Sequence, residues 1–340
     1  MTGSTAMLRA YGAAMVMAGS IVVGSILAVV SVEQAAGQAS SDKIWPSKPV
    51  RIIVPFAAGS ATDLVPRAVF EQVQSQVGQT FIIDNRLGGG TTTGTAAVAK
   101  SDPDGYTILV HSNGFVTTPA IQENVPYDPV KDFASITPLG NVPMVLVISP
   151  DKNIKTLKDL VAYAKAKPGT LNYAAAGIGT PPHLTMERFR IAAGFTGQLV
   201  PFKGAPEAVT EVITGRVDVY FCPLPPAMPF IQSGKLLPLA VSSAKRAAAL
   251  PNVPTTIESG FPNSDFDFWI GMFVPKQTPR DVVMRIHQVT VKGMATETNR
   301  ARFAKLGVEP MIMTPEAFDA RVAQETKIAV ELAKATGLAK

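Results

Sequence analysis

The segment at residues 56–63 combines small side chains with side-chain oxygens, a set that could bind an anion. It follows an apolar, β-branched run at 50–54, which predicts a buried strand, and it precedes apolar residues with helical spacing. Free N–H groups at a helix N-terminus attract negative charge, so the segment could hold a carboxylate. An ordinary strand–helix turn is the alternative. The candidate residues here are Phe56, Ala58, Gly59, Ser60, Thr62 and Asp63.

Three more predicted strand ends carry small or polar residues that could face one cleft, because ligands of open α/β sheets bind outside the carboxyl ends of the strands. Ser60 and Thr180 are candidate helix N-caps, so one helix start in each half of the chain could hold one carboxylate. Lys203 could add positive charge or simply face solvent. Asp63, itself an anion, is expected to cap its helix or order its loop. The further candidates are Ser112, Asn113, Gly177, Gly179, Thr180, Lys203 and Gly204.

Residues that could perform catalysis or bind a metal form no recognisable pattern. The three histidines are far apart in sequence, and the H-E-x-x-H, C-x-x-C and G-x-S-x-G motifs do not occur. The run at 88–94 resembles a phosphate-binding loop but lacks the Gly-Lys-Ser/Thr ending, which favours a tight turn before a Thr-rich helix start. Cys222 lies in a strand-like run and is expected to be buried and inert. We therefore expect no catalytic residue, no metal and no cofactor.

The charge balance argues against a nucleic-acid partner. The chain has 31 Lys and Arg against 26 Asp and Glu, a formal net charge of +5. The basic residues are scattered and are not interleaved with aromatic residues into a patch, as a nucleic-acid groove would require. A mild positive bias suits a small anionic ligand instead.

The first 39 residues are expected to be a signal peptide. Arg9 is the only charge in the first 32 residues, a long apolar run follows, and Gly37-Gln-Ala39 supplies small residues at the positions that a signal peptidase reads. A second cleavage site is available at 25–28. The run is long enough to span a bilayer, so an uncleaved membrane anchor is the alternative. Cleavage near Ala39 would place the protein in the periplasm.

Strands and helices alternate along the rest of the chain, a pattern that builds parallel, doubly wound sheets. About 300 mature residues indicate roughly two domains. Strands are predicted at 50–56, 81–84, 106–111, 136–139, 144–148, 171–175, 198–202, 217–221, 236–242 and 268–274. Helices are predicted at 64–77, 93–100, 156–166, 184–193, 206–214, 228–233, 280–295 and 315–335. The strands at 144–148 and 268–274 would be short crossings between two α/β lobes and would form a hinge.

A series of ordered sequence blocks resembles a known receptor family along essentially the whole mature chain. The blocks include Trp45-Pro-Ser-Lys-Pro-Val-Arg-Ile-Ile-Val-Pro-Phe56, Asp84-Asn-Arg86, Asp102-Pro-Asp-Gly-Tyr-Thr107, Pro201-Phe-Lys-Gly204, Leu239-Ala-Val-Ser-Ser243, Leu250-Pro-Asn-Val-Pro-Thr255 and Trp269-Ile-Gly271. They are similar to the Bug, or TctC-like, extracytoplasmic solute receptors of tripartite tricarboxylate transporters. The resemblance implies a two-lobe, type II-like periplasmic binding protein that closes on a carboxylate ligand.

Three sites depart from the pattern of that family, and one of them is Pro66, which replaces a usual Ala before Arg67. Ala58-Gly59-Ser60 stands where the family usually has Pro-Gly-Gly, and Phe202 stands where it usually has Tyr. Ser60 therefore adds a hydroxyl to the first loop, and Phe202 removes one near the same cleft. These changes favour a different and more apolar ligand.

The resulting interpretation is a monomeric periplasmic receptor with no catalytic residues. It would capture a di- or tricarboxylate, an acidic amino acid or an aromatic carboxylate and deliver it to the permease subunits of a tripartite transporter. An orphan receptor that signals to a membrane sensor kinase and an exported α/β enzyme acting on a carboxylate are the alternatives. The signal peptide would span 1–39, the first lobe 40–143 and 269–340, and the second lobe 144–268.

The signal-peptide interpretation predicts that the exported protein is soluble and begins near Ser40, because the peptidase would cleave after Ala39. N-terminal sequencing of the protein from a periplasmic fraction measures this directly. An intact N-terminus on membrane-bound protein would contradict the prediction.

Overall fold

The computed structural model describes residues 45–335 and 337–339, and the strands in this part of the chain form two β-sheets. The expected signal peptide lies outside these described residues. The strands are β1 (Val50–Val54), β2 (Phe81–Asn85), β3 (Thr107–Ser112), β4 (Phe133–Asn141), β5 (Met144–Ile148), β6 (Leu171–Ala175), β7 (Gly197–Pro201), β8 (Val219–Pro223), β9 (Leu237–Val241), β10 (Trp269–Pro275) and β11 (Glu309–Pro310).

Helices connect most of these strands. They are α1 (Ala61–Val77), α2 (Thr92–Ala99), α3 (Gly114–Ile121), α4 (Leu157–Ala166), α5 (Pro181–Ala193), α6 (Ala205–Ile213), α7 (Leu224–Gln232), α8 (Arg280–Met294), α9 (Glu297–Leu306) and α10 (Pro315–Ala335). Among the described residues, none of these helices is long and apolar enough to cross a membrane.

Each sheet is mixed rather than purely parallel. The first has the order β11-β4-β10-β3-β1-β2 and the second the order β7-β6-β8-β5-β9. β1 runs parallel to β2 and β3, and β6 runs parallel to β7 and β8, as the helical crossovers between them require. β5 and β10 run antiparallel to their neighbours. Each enters its sheet from the other one through a connection without a helix, so no parallel crossover is built there.

The sheets take their strands from separate stretches of the chain. Residues 50–141 and 269–310 supply the first sheet, and residues 144–241 supply the second. The predicted boundaries assume that the two lobes move as separate bodies, and they stay a prediction.

Aromatic packing fixes one face of the first sheet against the C-terminal helix. Phe115, Phe273 and Phe318 lie in one fully buried cluster, with the ring centroids of Phe115 and Phe273 4.3 Å apart. A Cβ on Gly271 would lie 2.5 Å from the Phe318 ring, so only glycine lets α10 approach this closely. The indole N–H of Trp269 donates to Glu325 at 2.8 Å, which ties the start of β10 to the same helix.

Sequence periodicity missed two helices for different reasons. α3 contains Gly114 and Pro119, so its intrinsic helix propensity is poor; it forms because its first turns are buried. α9 begins at the N-cap Thr296, whose side chain accepts from the N–H of Asn299, and it ends at Gly307 in the left-handed conformation. Those two cap residues were a usable sequence signal for α9.

Candidate functional site

A cavity of about 240 Å³ lies where loops from the two sheets meet. Four loops line it, and each one follows the carboxyl end of a parallel strand: β1 and β2 from the first sheet, β6 and β7 from the second. This is the position at which open α/β sheets bind ligands. The lining residues are Pro55, Phe56, Leu87, Gly88, Gly89, Gly90, Thr91, Ala176, Gly177, Phe202 and Lys203.

The facing loops approach each other at glycines. A Cβ on Gly204 would lie 2.5 Å from the Cβ of Ala57, which real Cβ atoms do not tolerate. A Cβ on Gly177 would lie 3.9 Å from the Cα of Gly90 and would sit on a backbone with φ +105°. Glycine at these positions therefore allows the two sheets to enclose the cavity between their loops.

The loop before α2 has an unusual backbone at the cavity wall. Gly88, Gly89, Gly90 and Thr91 all have positive φ, with Thr91 at 87°. A threonine in this conformation is strained, because its Cβ crowds the backbone, and such strain is typical of functional sites. Thr91 is 5% exposed, and its hydroxyl has no hydrogen-bond partner among the described residues.

The Thr91 loop is the part of the site that sequence reasoning missed. The Gly-rich run followed by Thr residues is the available signal, but the lack of a phosphate-loop ending favours the turn interpretation. The structure shows a tight turn, as expected, and also places that turn at the cavity.

The two predicted helix starts differ in what their hydroxyls do. Ser60 is the N-cap of α1, yet its buried hydroxyl makes no cap hydrogen bond and has no partner among the described residues. Thr180 is the N-cap of α5, and its hydroxyl donates to the carbonyl of Gly177 at 2.7 Å. The Gly179 N–H in the same loop donates to Nδ1 of His183. Neither Ser60 nor Thr180 is among the residues that line the described cavity.

Asp63 orders the first loop. Its carboxylate accepts from the N–H of Gly59 at 2.9 Å, from the amide of Asn85 at 2.9 Å and from the guanidinium of Arg67 at 2.9 Å. Burial opposes ionisation of the carboxyl, but these three hydrogen bonds together hold the pKa of Asp63 below its usual range. The carboxylate is therefore occupied by the protein itself, in keeping with its expected role in ordering the loop.

The remaining predicted residues lie at varying places around the cleft. Phe56, Gly177 and Lys203 line the cavity itself. Three others make contacts within or between the loops. Gly59 faces Pro206 across the cleft, the carbonyl of Gly179 accepts from the hydroxyl of Thr117, and the hydroxyl of Ser112 accepts from the N–H of Gly114. Thr62 is buried and Ala58 is exposed. Asn113 lies elsewhere, lining a second cavity at the start of β10, where its amide donates to the carbonyl of Asp267.

His111 packs against Phe56, one of the residues that line the cavity. Its ring centroid lies 5.1 Å from that of Phe56, in an edge-on contact. Nδ1 lies 2.9 Å from the carbonyl of Ser112 and donates to it, which leaves Nε2 as an acceptor without a partner among the described residues. Full burial lowers the pKa of His111 from 6.5 to about 4, so the ring is neutral at physiological pH.

Comparison with known proteins places this architecture among solute receptors. Residues 65–338 match a family model described as Tripartite tricarboxylate transporter family receptor. Protein BugT of Bordetella pertussis is 30% identical over 318 residues, covering 93% of this chain and 96% of its own. A solved periplasmic binding protein, BugD, is 35% identical with a TM-score of 0.83, covering 87% of this chain and 100% of its own. A structure of R. palustris Rpa4515 with adipate is 29% identical with a TM-score of 0.84, covering 87% and 99%. These likenesses confirm the expected two-lobe, type II-like α/β fold class.

The burial of His111 predicts that stability falls on mild acidification. The unfolded chain protonates this ring near pH 6.5, whereas the folded chain does so only near pH 4, so stability is lost as the pH falls through this window. We expect this group to lower the free energy of unfolding by about 2 kcal/mol between pH 7 and pH 5. Urea unfolding at both pH values measures it.

His111→Gln is the matched variant, because it keeps a donor for the Ser112 carbonyl but cannot titrate. Over the same pH interval, its free energy of unfolding should fall by about 2 kcal/mol less than that of the parent. His183, whose pKa burial also lowers, stays present in both proteins and cancels in the comparison. Equal losses in parent and variant would contradict the assignment to His111.

Proposed function

The chain belongs to the receptor family of the tripartite tricarboxylate transporters, and from that premise we propose that it captures a small organic carboxylate for delivery to a membrane permease. The family and the structural neighbours are solute-binding proteins and not enzymes. In this proposal the carboxylate occupies the cavity between the two sheets. The receptor is exported to the periplasm, acts as a monomer, and meets the permease subunits of a tripartite transporter there.

The Thr91 loop is the observation that supports a carboxylate in this cavity most strongly. A buried hydroxyl without a partner costs free energy, so its presence in a cavity wall suggests that a ligand supplies the missing hydrogen bond. The helix α2 begins directly after Thr91, and its dipole adds partial positive charge at this end, while the N–H groups of Thr92 and Thr93 donate to the carbonyls of Gly89 and Gly88. An anion with oxygen acceptors suits both features.

Closure of the two lobes would complete the binding mechanism. The cavity takes two of its four loops from each sheet, so a ligand there contacts both sheets at once. Such a ligand makes more contacts when the loops are together than when they are apart, and it therefore favours the closed state. The proposed hinge lies where the chain crosses into β5, at residues 142–143, and into β10, near residue 268.

Removing the Thr91 hydroxyl tests the carboxylate proposal. A screen of carboxylates by thermal shift identifies a probe, since a ligand at about a hundred times its dissociation constant adds roughly 2.7 kcal/mol of stability. Thr91→Val should then bind that probe about tenfold more weakly by calorimetric titration, because a hydrogen bond to a charged group is worth about 1.5–3 kcal/mol. The free variant should be as stable as the parent, since the lost hydroxyl has no partner.

Thr95→Val is the control, because the buried hydroxyl of Thr95 donates to the carbonyl of Thr91 at 2.9 Å. This variant should lose about 1 kcal/mol of unfolding free energy. Unchanged affinity in Thr91→Val, or no stabilisation by any carboxylate in the screen, would contradict the proposal.

Closure predicts a smaller particle in the presence of the same probe. Small-angle scattering of the purified protein, with and without saturating probe, should give a lower radius of gyration for the bound form. An unchanged radius with demonstrated binding would mean that the cavity is preformed and that the lobes do not move.

A further inference from the structure

We infer that the cavity selects a monocarboxylate with an apolar body, aliphatic or aromatic, over a dicarboxylate of the same length. This inference rests on the proposed function and narrows its ligand class. The supporting observations are the distribution of charge around the cavity, the chemistry of its walls and its size.

The cavity offers positive charge for one carboxylate. Lys203 is the sole charged side chain among the described residues that line it. The carboxylate of Glu207 accepts from the backbone N–H of Lys203 at 3.2 Å, which brings a negative charge to the same loop. Arg86 and Arg67 lie nearby in the sequence, but they are paired with Asp84 and Asp63. A second ligand carboxylate would therefore find no further cation among the described residues that line the cavity.

The remaining side-chain walls are apolar. Phe56 is 6% exposed, Phe202 is half-buried, and Leu87, Pro55 and Ala176 complete these walls. A carboxylate placed against these groups would lose water without gaining hydrogen bonds, and that desolvation is costly. A methylene chain or an aromatic ring would instead bury apolar surface there.

The polar groups suffice for one carboxylate. An ionised carboxylate has two oxygens that accept hydrogen bonds. The Thr91 hydroxyl and the ammonium group of Lys203 could satisfy those oxygens. The ligand would thus be oriented with one charged end and one apolar end.

The size of the cavity agrees with a small ligand. A volume of about 240 Å³ corresponds to about eight water molecules at their share of liquid volume. It lies below the roughly 300–1,000 Å³ of pockets for drug-sized ligands. A chain of about six carbons or a single ring suits such a space.

Two matched pairs of probes test the inference: hexanoate against adipate, and benzoate against terephthalate. Each pair shares its body and differs by the second carboxylate. Calorimetric titration of the purified protein at pH 7 should give at least tenfold tighter binding of the monocarboxylate in one pair or both.

A second cation in the wall should change this preference. Leu87 is 43% exposed, so Leu87→Lys can be accommodated without burying the new charge. We expect this variant to reduce the monocarboxylate preference about tenfold or to reverse it. Ile191→Lys is the control, since Ile191 is 48% exposed on α5 and is absent from the cavity lining. It adds the same charge and should leave the preference unchanged.

The outcomes separate the inference from the proposed function. Adipate and terephthalate each binding as tightly as its monocarboxylate partner would overturn the inference while leaving a carboxylate receptor. Binding of neither monocarboxylate would also overturn it. An equal effect of Leu87→Lys and Ile191→Lys would contradict the inference that the charge and chemistry of the cavity wall set the preference. The proposed function itself is tested separately, by the wider carboxylate screen and by the affinity of Thr91→Val.

Discussion

The close approach of backbone loops from two different sheets is the constraint on which the site depends. Gly204 lies against Ala57, and Gly177 lies near Gly90, so the walls of the cavity come from stretches of chain more than eighty residues apart. A side chain at Gly204 would push the loops apart. The enclosed volume follows from this contact, because the cavity lies between these loops.

Polar groups around the cleft fall into two classes. Asp63 is saturated by Gly59, Arg67 and Asn85 and makes the first loop rigid. The hydroxyls of Ser60 and Thr91 are buried without partners among the described residues. Buried polar groups are normally satisfied, so the contrast marks where the fold gives up stability. A rigid loop beside unsatisfied hydroxyls is the arrangement that preorganises a binding site.

Packing at the start of β10 limits where the proposed hinge can lie. β10 enters the first sheet between β3 and β4 and is fixed at its start by the Trp269–Glu325 hydrogen bond. The C-terminal helix α10, which carries Glu325, packs closely only because position 271 is glycine. The end of the chain therefore holds the start of β10 within the first sheet. Any motion of one sheet against the other must be absorbed outside this packed region.

The sequence by itself determined the alternation of strands and helices, the family resemblance and the carboxyl ends of strands as the place for a site. These features are local: β-branched runs such as β1 and β5, helix caps and turn residues specify their own conformation. Tertiary structure alone decided that Leu87–Thr91 faces Phe202 and Lys203 across the cavity, and that Asn113 lines a different one. It also decided that α3 is helical despite its poor propensity. The physical reason is that these outcomes depend on contacts between distant segments and on left-handed backbone at Thr91, which side-chain periodicity does not encode.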